Sequence, residues 1–122
     1  MTGVFVGIDH VQLAAPKGSV EKARQFYGEL LGMKEISKPA SLAGRGGCWF
    51  ECGTQGVHIG IQENFTPAQK AHPGFTVNAL DELQDRLMQA GSSLTEEPPI
   101  EGRRRFFTTD PFGNRIEFLE FQ

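Results

Sequence analysis

No apolar run in this 122-residue chain approaches the roughly 18 residues that a membrane-spanning helix needs. The opening Met-Thr-Gly-Val-Phe-Val-Gly-Ile-Asp-His has no basic region before its apolar stretch, and Asp9 interrupts that stretch. It does not read as a secretory signal, so a cytoplasmic protein is expected. Excess positive charge is also missing. Twelve Lys and Arg against fifteen Asp and Glu leave a net charge of -3, where a nucleic-acid-binding domain is usually basic. Cysteine is scarce, with only Cys48 and Cys52. In a strand these two would stand about 13 Å apart, beyond the roughly 7 Å limit for a disulfide. Without a second cysteine pair they make a weak zinc motif, and two buried thiols is the plainer reading.

What is present suits one globular domain. The chain is 39% hydrophobic and has 15 glycines, which brings the apolar share to about half and speaks against disorder. Alternation predicts a first strand over 8–14, with Ile8, His10, Gln12 and Ala14 on one face. Ser19 is a candidate N-cap for a helix over 20–31, with Val20, Ala23, Phe26, Tyr27, Leu30 and Leu31 on its apolar side and Gly32 ending it. Strands follow at 33–37, 47–52 and 57–62. Gly44–Gly47 lacks the Lys and hydroxyl of a phosphate loop and reads as a mobile connection. After a polar linker near 64–71 the order restarts. A strand over 72–77 precedes a helix capped by Asn78, with Leu80, Leu83, Leu87 and Met88 as its stripe and Gly91 at its end. A weak strand at 93–96, strands at 104–109 and 115–121, and a turn at Asp110–Gly113 complete the second half. The expectation is a single α+β domain over 1–122, built from two βαβββ modules at about 1–63 and 70–122.

The repeat places the unusual residues. The only histidines are His10, His58 and His72. His10 lies in the first strand of module one and His72 opens the first strand of module two. His58 lies in the last strand of module one, and Glu117 in the last strand of module two. Each pair of equivalents is separated by about half the chain. A lone strand histidine is ordinarily a satisfied core or surface residue. Four metal-capable side chains at two equivalent positions in each of two modules are a different matter. A carboxylate in an apolar strand is costly unless paired or coordinated, and three imidazoles with one carboxylate suit a borderline divalent ion.

Three segments carry a likeness to a known family: Asp9-His10-Val11, Ala71-His72-Pro73-Gly74-Phe75, and Asp110-Pro111-Phe112-Gly113-Asn114-Arg115-Ile116-Glu117-Phe118. With these the chain resembles the vicinal oxygen chelate superfamily, which includes glyoxalase I, fosfomycin-resistance thiol transferases, methylmalonyl-CoA epimerase, extradiol dioxygenases and bleomycin-resistance proteins. The resemblance implies a glyoxalase-like cup of mostly antiparallel sheet around one divalent ion (Zn, Ni, Fe, Mn or Co). By position it makes His10, His72 and Glu117 metal ligands, with Glu117 also a candidate base. His58 stands where glyoxalase I usually has Glu, so it is either a fourth ligand or an acid or base in the cavity. Because the superfamily hosts several chemistries on one scaffold, the resemblance leaves the reaction open. The expected activity is a glyoxalase-like lyase or isomerase acting on a small substrate chelated through neighbouring oxygens, where the metal stabilises an oxyanion or enediolate. The alternatives are a drug-binding protein of the bleomycin type, thiol transfer to fosfomycin, and a small Fe(II) dioxygenase. Members of this length are typically homodimers, and open strand edges favour pairing with a second copy; neither a nucleic acid nor a membrane is expected as partner.

Two further features are noted. Alternation through Arg103-Arg104-Arg105 puts Arg104 on one face and the other two on the opposite one. The ordinary reading is solvated arginines at a strand entrance; the functional one is a contact to an anionic substrate. Ten phenylalanines, five of them near the end of the chain, should mostly form core.

Overall fold

The computed structural model describes residues 3–122. Module one forms a four-stranded sheet in the order β1-β4-β3-β2, from β1 (His10–Ala15), β2 (Lys34–Ile36), β3 (Cys48–Cys52) and β4 (Gln55–Ile61). Module two forms a three-stranded sheet, β5-β7-β6, from β5 (Gly74–Thr76), β6 (Arg103–Thr109) and β7 (Arg115–Phe121). In each module the first and last strands pair in parallel and the remaining pairings are antiparallel. Thr95 adds an isolated bridge to Phe107 at the place where β2 sits in module one, all that forms of the strand expected at 93–96.

One face of each sheet is sealed by a helix. Helix α1 is α-helical over Val20–Ala23 and π-helical over Arg24–Leu30, and it buries Ala23, Phe26 and Tyr27. Helix α2 (Leu80–Gln89) buries Leu80, Leu83 and Leu87. With Phe50, Val57 and Ile59 of one sheet and Phe75, Phe106, Ile116 and Phe118 of the other, these form a single buried cluster. At roughly 1.5–3 kcal/mol per buried large side chain, this shared core is the main favourable contribution to folding. Among the described residues no helix is long and apolar enough to cross a membrane.

Several local expectations change. Ser19 occupies the N-cap position of α1, but its hydroxyl bonds the Pro16 carbonyl and caps nothing. Ala79, not Asn78, precedes α2, and the free Leu80 N–H donates to Glu120 Oε1, on the helix-covered face of β7, at 3.0 Å. Met88 faces solvent, one position off the buried stripe. Of Gly44–Gly47, read as a mobile connection, Gly44 and Arg45 end a 3-10 helix, Ala40–Arg45, and Gly46 and Gly47 link it to β3. Cys48 and Cys52 are free thiols on the core side of β3; Cys48 is buried as expected, whereas Cys52 is only partly so.

The Asp110–Asn114 turn joins the modules. Asp110 Oδ1 accepts the backbone N–H groups of Phe112 and Asn114, each at 2.9 Å. Its Oδ2 accepts Tyr27 Oη at 2.6 Å and Asn114 Nδ2 at 2.8 Å, and the same amide donates to the Ala14 carbonyl. Four donors thus satisfy a buried carboxylate that has no cationic partner among the described residues. Burial, followed by the charge of Asp110, holds the Tyr27 phenol well above its ordinary pKa, so it stays a donor.

Candidate functional site

Paired residues on neighbouring strands share a sheet face, so register alone places the candidate donors. In module one Gln12 lies opposite His58; in module two Gly74 lies opposite Glu117. The residue two places after His10, and the residue two places after His72, therefore face the second candidate of their own module. The repeat inferred from sequence is a repeat of register. In both modules the candidates lie on the face away from the covering helix.

His10 and His58 come together in module one. Their rings stack at 4.1 Å with planes 17° apart, and the Trp49 indole stacks on the other side of His58 at 3.8 Å and 2°. His58 is only 6% exposed. Burial, then the neighbouring charge of His10, lowers its pKa and favours the neutral ring. His10 is open to solvent and its Nδ1 meets Asp9 Oδ2 at 2.8 Å. Gly56 makes room for the stack: a Cβ there would stand 3.0 Å from His58 Nε2 and 3.2 Å from His10 Cβ. Imidazole lone pairs lie in the ring plane. Two nearly parallel stacked rings therefore do not aim them at one point.

His72 and Glu117 come together in module two. His72 lies just before β5, because Pro73 has no N–H to give a ladder. The Pro73 carbonyl instead accepts Glu117 N–H at 3.0 Å, which holds the two side chains side by side. Glu117 Oε1 lies 3.0 Å from His72 Nε2, and Oε2 lies 3.3 Å from Arg105 Nη1. Arg115 Nη1 reaches His72 Nδ1 at 3.1 Å, and the Lys70 carbonyl stands 3.0 Å from the same nitrogen. That nitrogen can donate to Lys70 or accept from Arg115, but not both. With its proton on Nε2, His72 donates to Glu117 and the cluster closes on itself. With its proton on Nδ1, it donates to Lys70, the outer bond usual for a metal-ligating histidine. Its Nε2 lone pair then faces a carboxylate oxygen, an arrangement that a cation between them would relieve. The donor set fits a borderline divalent ion in this second state.

Among the described residues no group of three or more His, Cys, Asp or Glu side chains gathers to hold a metal. The four residues singled out from sequence are thus brought together as two pairs, one per module, and not as one cluster within the chain. Sequence reading did not assign the residues around them. Trp49 has its signal in the β3–β4 register, where it lies opposite His58. Alternation sets Arg105 on the face opposite Arg104, with contact to an anionic substrate as the functional reading of the triplet but no tie to Glu117; Arg104 does bond Asp81 on the helix side. Asp9 and Arg115 lie inside the segments that carry the family likeness, but nothing in the sequence gives them a role of their own.

The family model for the Glyoxalase/Bleomycin resistance protein/Dioxygenase superfamily matches residues 7–118. Among solved structures, a Bacillus anthracis protein assigned to the glyoxalase family is 51% identical, with TM-score 0.96 and full coverage of both chains. Two more distant structures share the fold. Lactoylglutathione lyase from Agrobacterium tumefaciens is 19% identical (TM-score 0.75, covering 97% of this chain and 96% of that one). A mutant of the Listeria monocytogenes fosfomycin resistance protein FosX, complexed with Mn(II) and 1S,2S-dihydroxypropylphosphonic acid, is 18% identical (TM-score 0.79, 98% and 95%). A search of curated proteins finds none that matches this sequence.

Proposed function

This chain belongs to the Glyoxalase/Bleomycin resistance protein/Dioxygenase superfamily, and from that premise we propose that it is a metal-dependent enzyme, a glyoxalase-like lyase or isomerase acting on a small substrate with neighbouring oxygens. The observation that carries this reading is the His72–Glu117 pair, with His72 Nδ1 within reach of the Lys70 carbonyl. His10, His72 and Glu117 would hold one divalent ion (Zn, Ni, Fe, Mn or Co). Bound there, the ion supplies Lewis-acid polarisation of the two substrate oxygens and stabilises the negative charge that proton removal creates. Glu117 is the base, and Oε2 is the oxygen that faces away from His72. His58 is neutral, buried and stacked against His10. That geometry favours a proton-shuttling role over a fourth ligand.

The site in this reading is shared by two copies of the chain: His10 and His58 come from one, His72 and Glu117 from the other. Two features support a second copy. The donors gather in pairs, and Val4, Phe5, Val6 and Ile8, the segment leading into His10, are strongly exposed apolar residues. Metal content per chain tests the proposal, measured on protein purified without a histidine tag beside the His10→Ala/Glu117→Ala double mutant. About one transition metal per chain, lost in the mutant, is the expected result, followed by metal-dependent turnover of a 2-oxoaldehyde thiol adduct. Turnover with no metal added back after chelation would reject it.

One observation favours a second reading, a drug-binding protein without catalysis. Arg105 on Glu117 and Arg115 on His72 already satisfy the pair with no ion present. Protein that takes up no metal on soaking and binds a drug tightly would establish that reading instead.

A further inference from the structure

Phe107 lies under an unusual concentration of positive charge. The Arg115 guanidinium sits 4.1 Å from its ring centroid, the Arg105 guanidinium 5.4 Å, and the His72 ring packs edge-on at 4.9 Å. Both arginines are largely buried, Arg105 with only 15% of its side chain exposed. Their counter-charges are two carboxylates. Glu97 is bonded to Arg115 at 2.7 Å, and Glu117 is held by Arg105 at the long distance of 3.3 Å. Two guanidiniums face two carboxylates, so the group is balanced as it stands. A divalent ion on Glu117 would leave two positive charges on a largely buried face, where Coulomb energies are several times those in water. Arg105 is also short of acceptors. Among the described residues its Nη2 donates to the Pro98 carbonyl at 2.7 Å, its only other bond is the one to Glu117, and its Nε is buried without a partner. Arg115, by contrast, is tied to Glu97, Lys70 and His72.

We propose that the substrate carries an oxyanion (phosphate, phosphonate or carboxylate) beside the oxygens that define the site, and that Arg105 is the residue that receives it. This inference rests on the metal reading for its charge balance. Arg105 then alternates between two partners: Glu117 in the empty site, and the oxyanion once Glu117 serves as a ligand. A planar guanidinium fork matches either group.

The test uses full-length protein, Mn(II), and three probes that share vicinal oxygens: glycerol, glycerate and glycerol 3-phosphate. Binding is followed by titration calorimetry. The Mn(II)-loaded protein should bind at least one of the two anions about tenfold or more tighter than glycerol, and which one separates carboxylate from phosphate recognition. Arg105→Gln should lose that preference, and Arg105→Lys should keep part of it. Arg105→Gln should also bind Mn(II) several-fold more tightly than the parent, because the competing cation on Glu117 is gone. A misfolded variant would lose affinity for both, so opposite shifts identify the role. Anion binding no tighter than glycerol, or equal anion affinity in the parent and Arg105→Gln, overturns the proposal. If the parent takes up neither Mn(II) nor Zn(II), Ni(II), Co(II) or Fe(II) in its place, the metal reading fails by itself. Arg105-dependent anion binding by the metal-free protein would then still support the oxyanion role, and its absence would end it.

Discussion

If each complete site draws one pair of donors from each of two chains, lesions in the two halves must complement. His10→Ala spoils the module-one half of every site to which a chain contributes; Glu117→Ala spoils the module-two half. Homodimers of either variant hold no intact site. In a mixed dimer both lesions fall on one site and the other receives two sound halves. Random assortment of equal amounts makes half the dimers mixed, and each has one good site of two, so about a quarter of wild-type metal content should return. The converse mixture is equally diagnostic. Wild-type chains mixed with the His10→Ala/Glu117→Ala double mutant keep sites only in wild-type homodimers, again about a quarter, because each mixed dimer has one lesion in each site. A site contained in one chain gives different values, none in the first mixture and about half in the second. The assay is elemental analysis after co-refolding from urea at one protein concentration, since dimer exchange depends on it. No recovery in the first mixture together with half in the second refutes the shared site.

Three further outcomes follow from the fold. Tyr27→Phe removes the 2.6 Å bond to Asp110, a hydrogen bond to a charged acceptor, and should cost about 1.5–3 kcal/mol in urea unfolding; a change under about 0.5 kcal/mol would mean that the turn is held without it. Burial pushes the Cys48 thiol up to about 11 from its ordinary 9.0. The folded state keeps this proton where the unfolded state releases it, so stability should fall by roughly 2 kcal/mol as pH rises from about 9 to about 11. Cys48→Ala should lessen the start of that decline, leaving Cys52, whose thiol is also pushed up by burial, and above about pH 10 the buried Tyr27 phenol. A methyl at Gly47 would stand 2.1 Å from the Ile59 carbonyl oxygen, whereas one at Gly91 would meet nothing within 4 Å; both have positive φ, +80° and +85°. Gly91→Ala should therefore cost about 1–2 kcal/mol of backbone strain. Gly47→Ala should cost clearly more; equal midpoints in chemical denaturation would show that the chain near Ile59 yields freely.

The sequence was most informative where structure follows from alternation. Arg115–Phe121 forms the strand expected of it, with Glu117 facing away from the helix. The three histidines fall where the repeat puts them, because strand register is a local property that duplication copies. What stayed hidden depends on contacts distant in sequence. The cap of α2 comes from Glu120, forty residues away. Ser19 had the right residue type and position, but its hydroxyl found the nearer Pro16 carbonyl. The partners of Glu117 include Arg105, which alternation could place on a face but not on a partner.

The division of the candidate donors into pairs has a physical origin in the repeat. In each module the parallel pairing of first and last strands sets two candidate donors side by side on the face that the module's own helix does not cover. On that face the side chains cover one another: Trp49 and His10 cover His58, while Arg105, Arg115 and His72 cover Phe107. A repeated register thus sets one donor pair in each module, and repetition alone does not make the pairs meet. Their meeting requires two such faces to oppose each other. Within the chain the modules are instead joined by Tyr27, Asp110, Asn114 and a shared apolar cluster on their helix-covered faces. A core that joins the modules through their covered faces leaves the two polar faces free, and in the proposed shared site a second copy with the same two faces would be the partner that meets both.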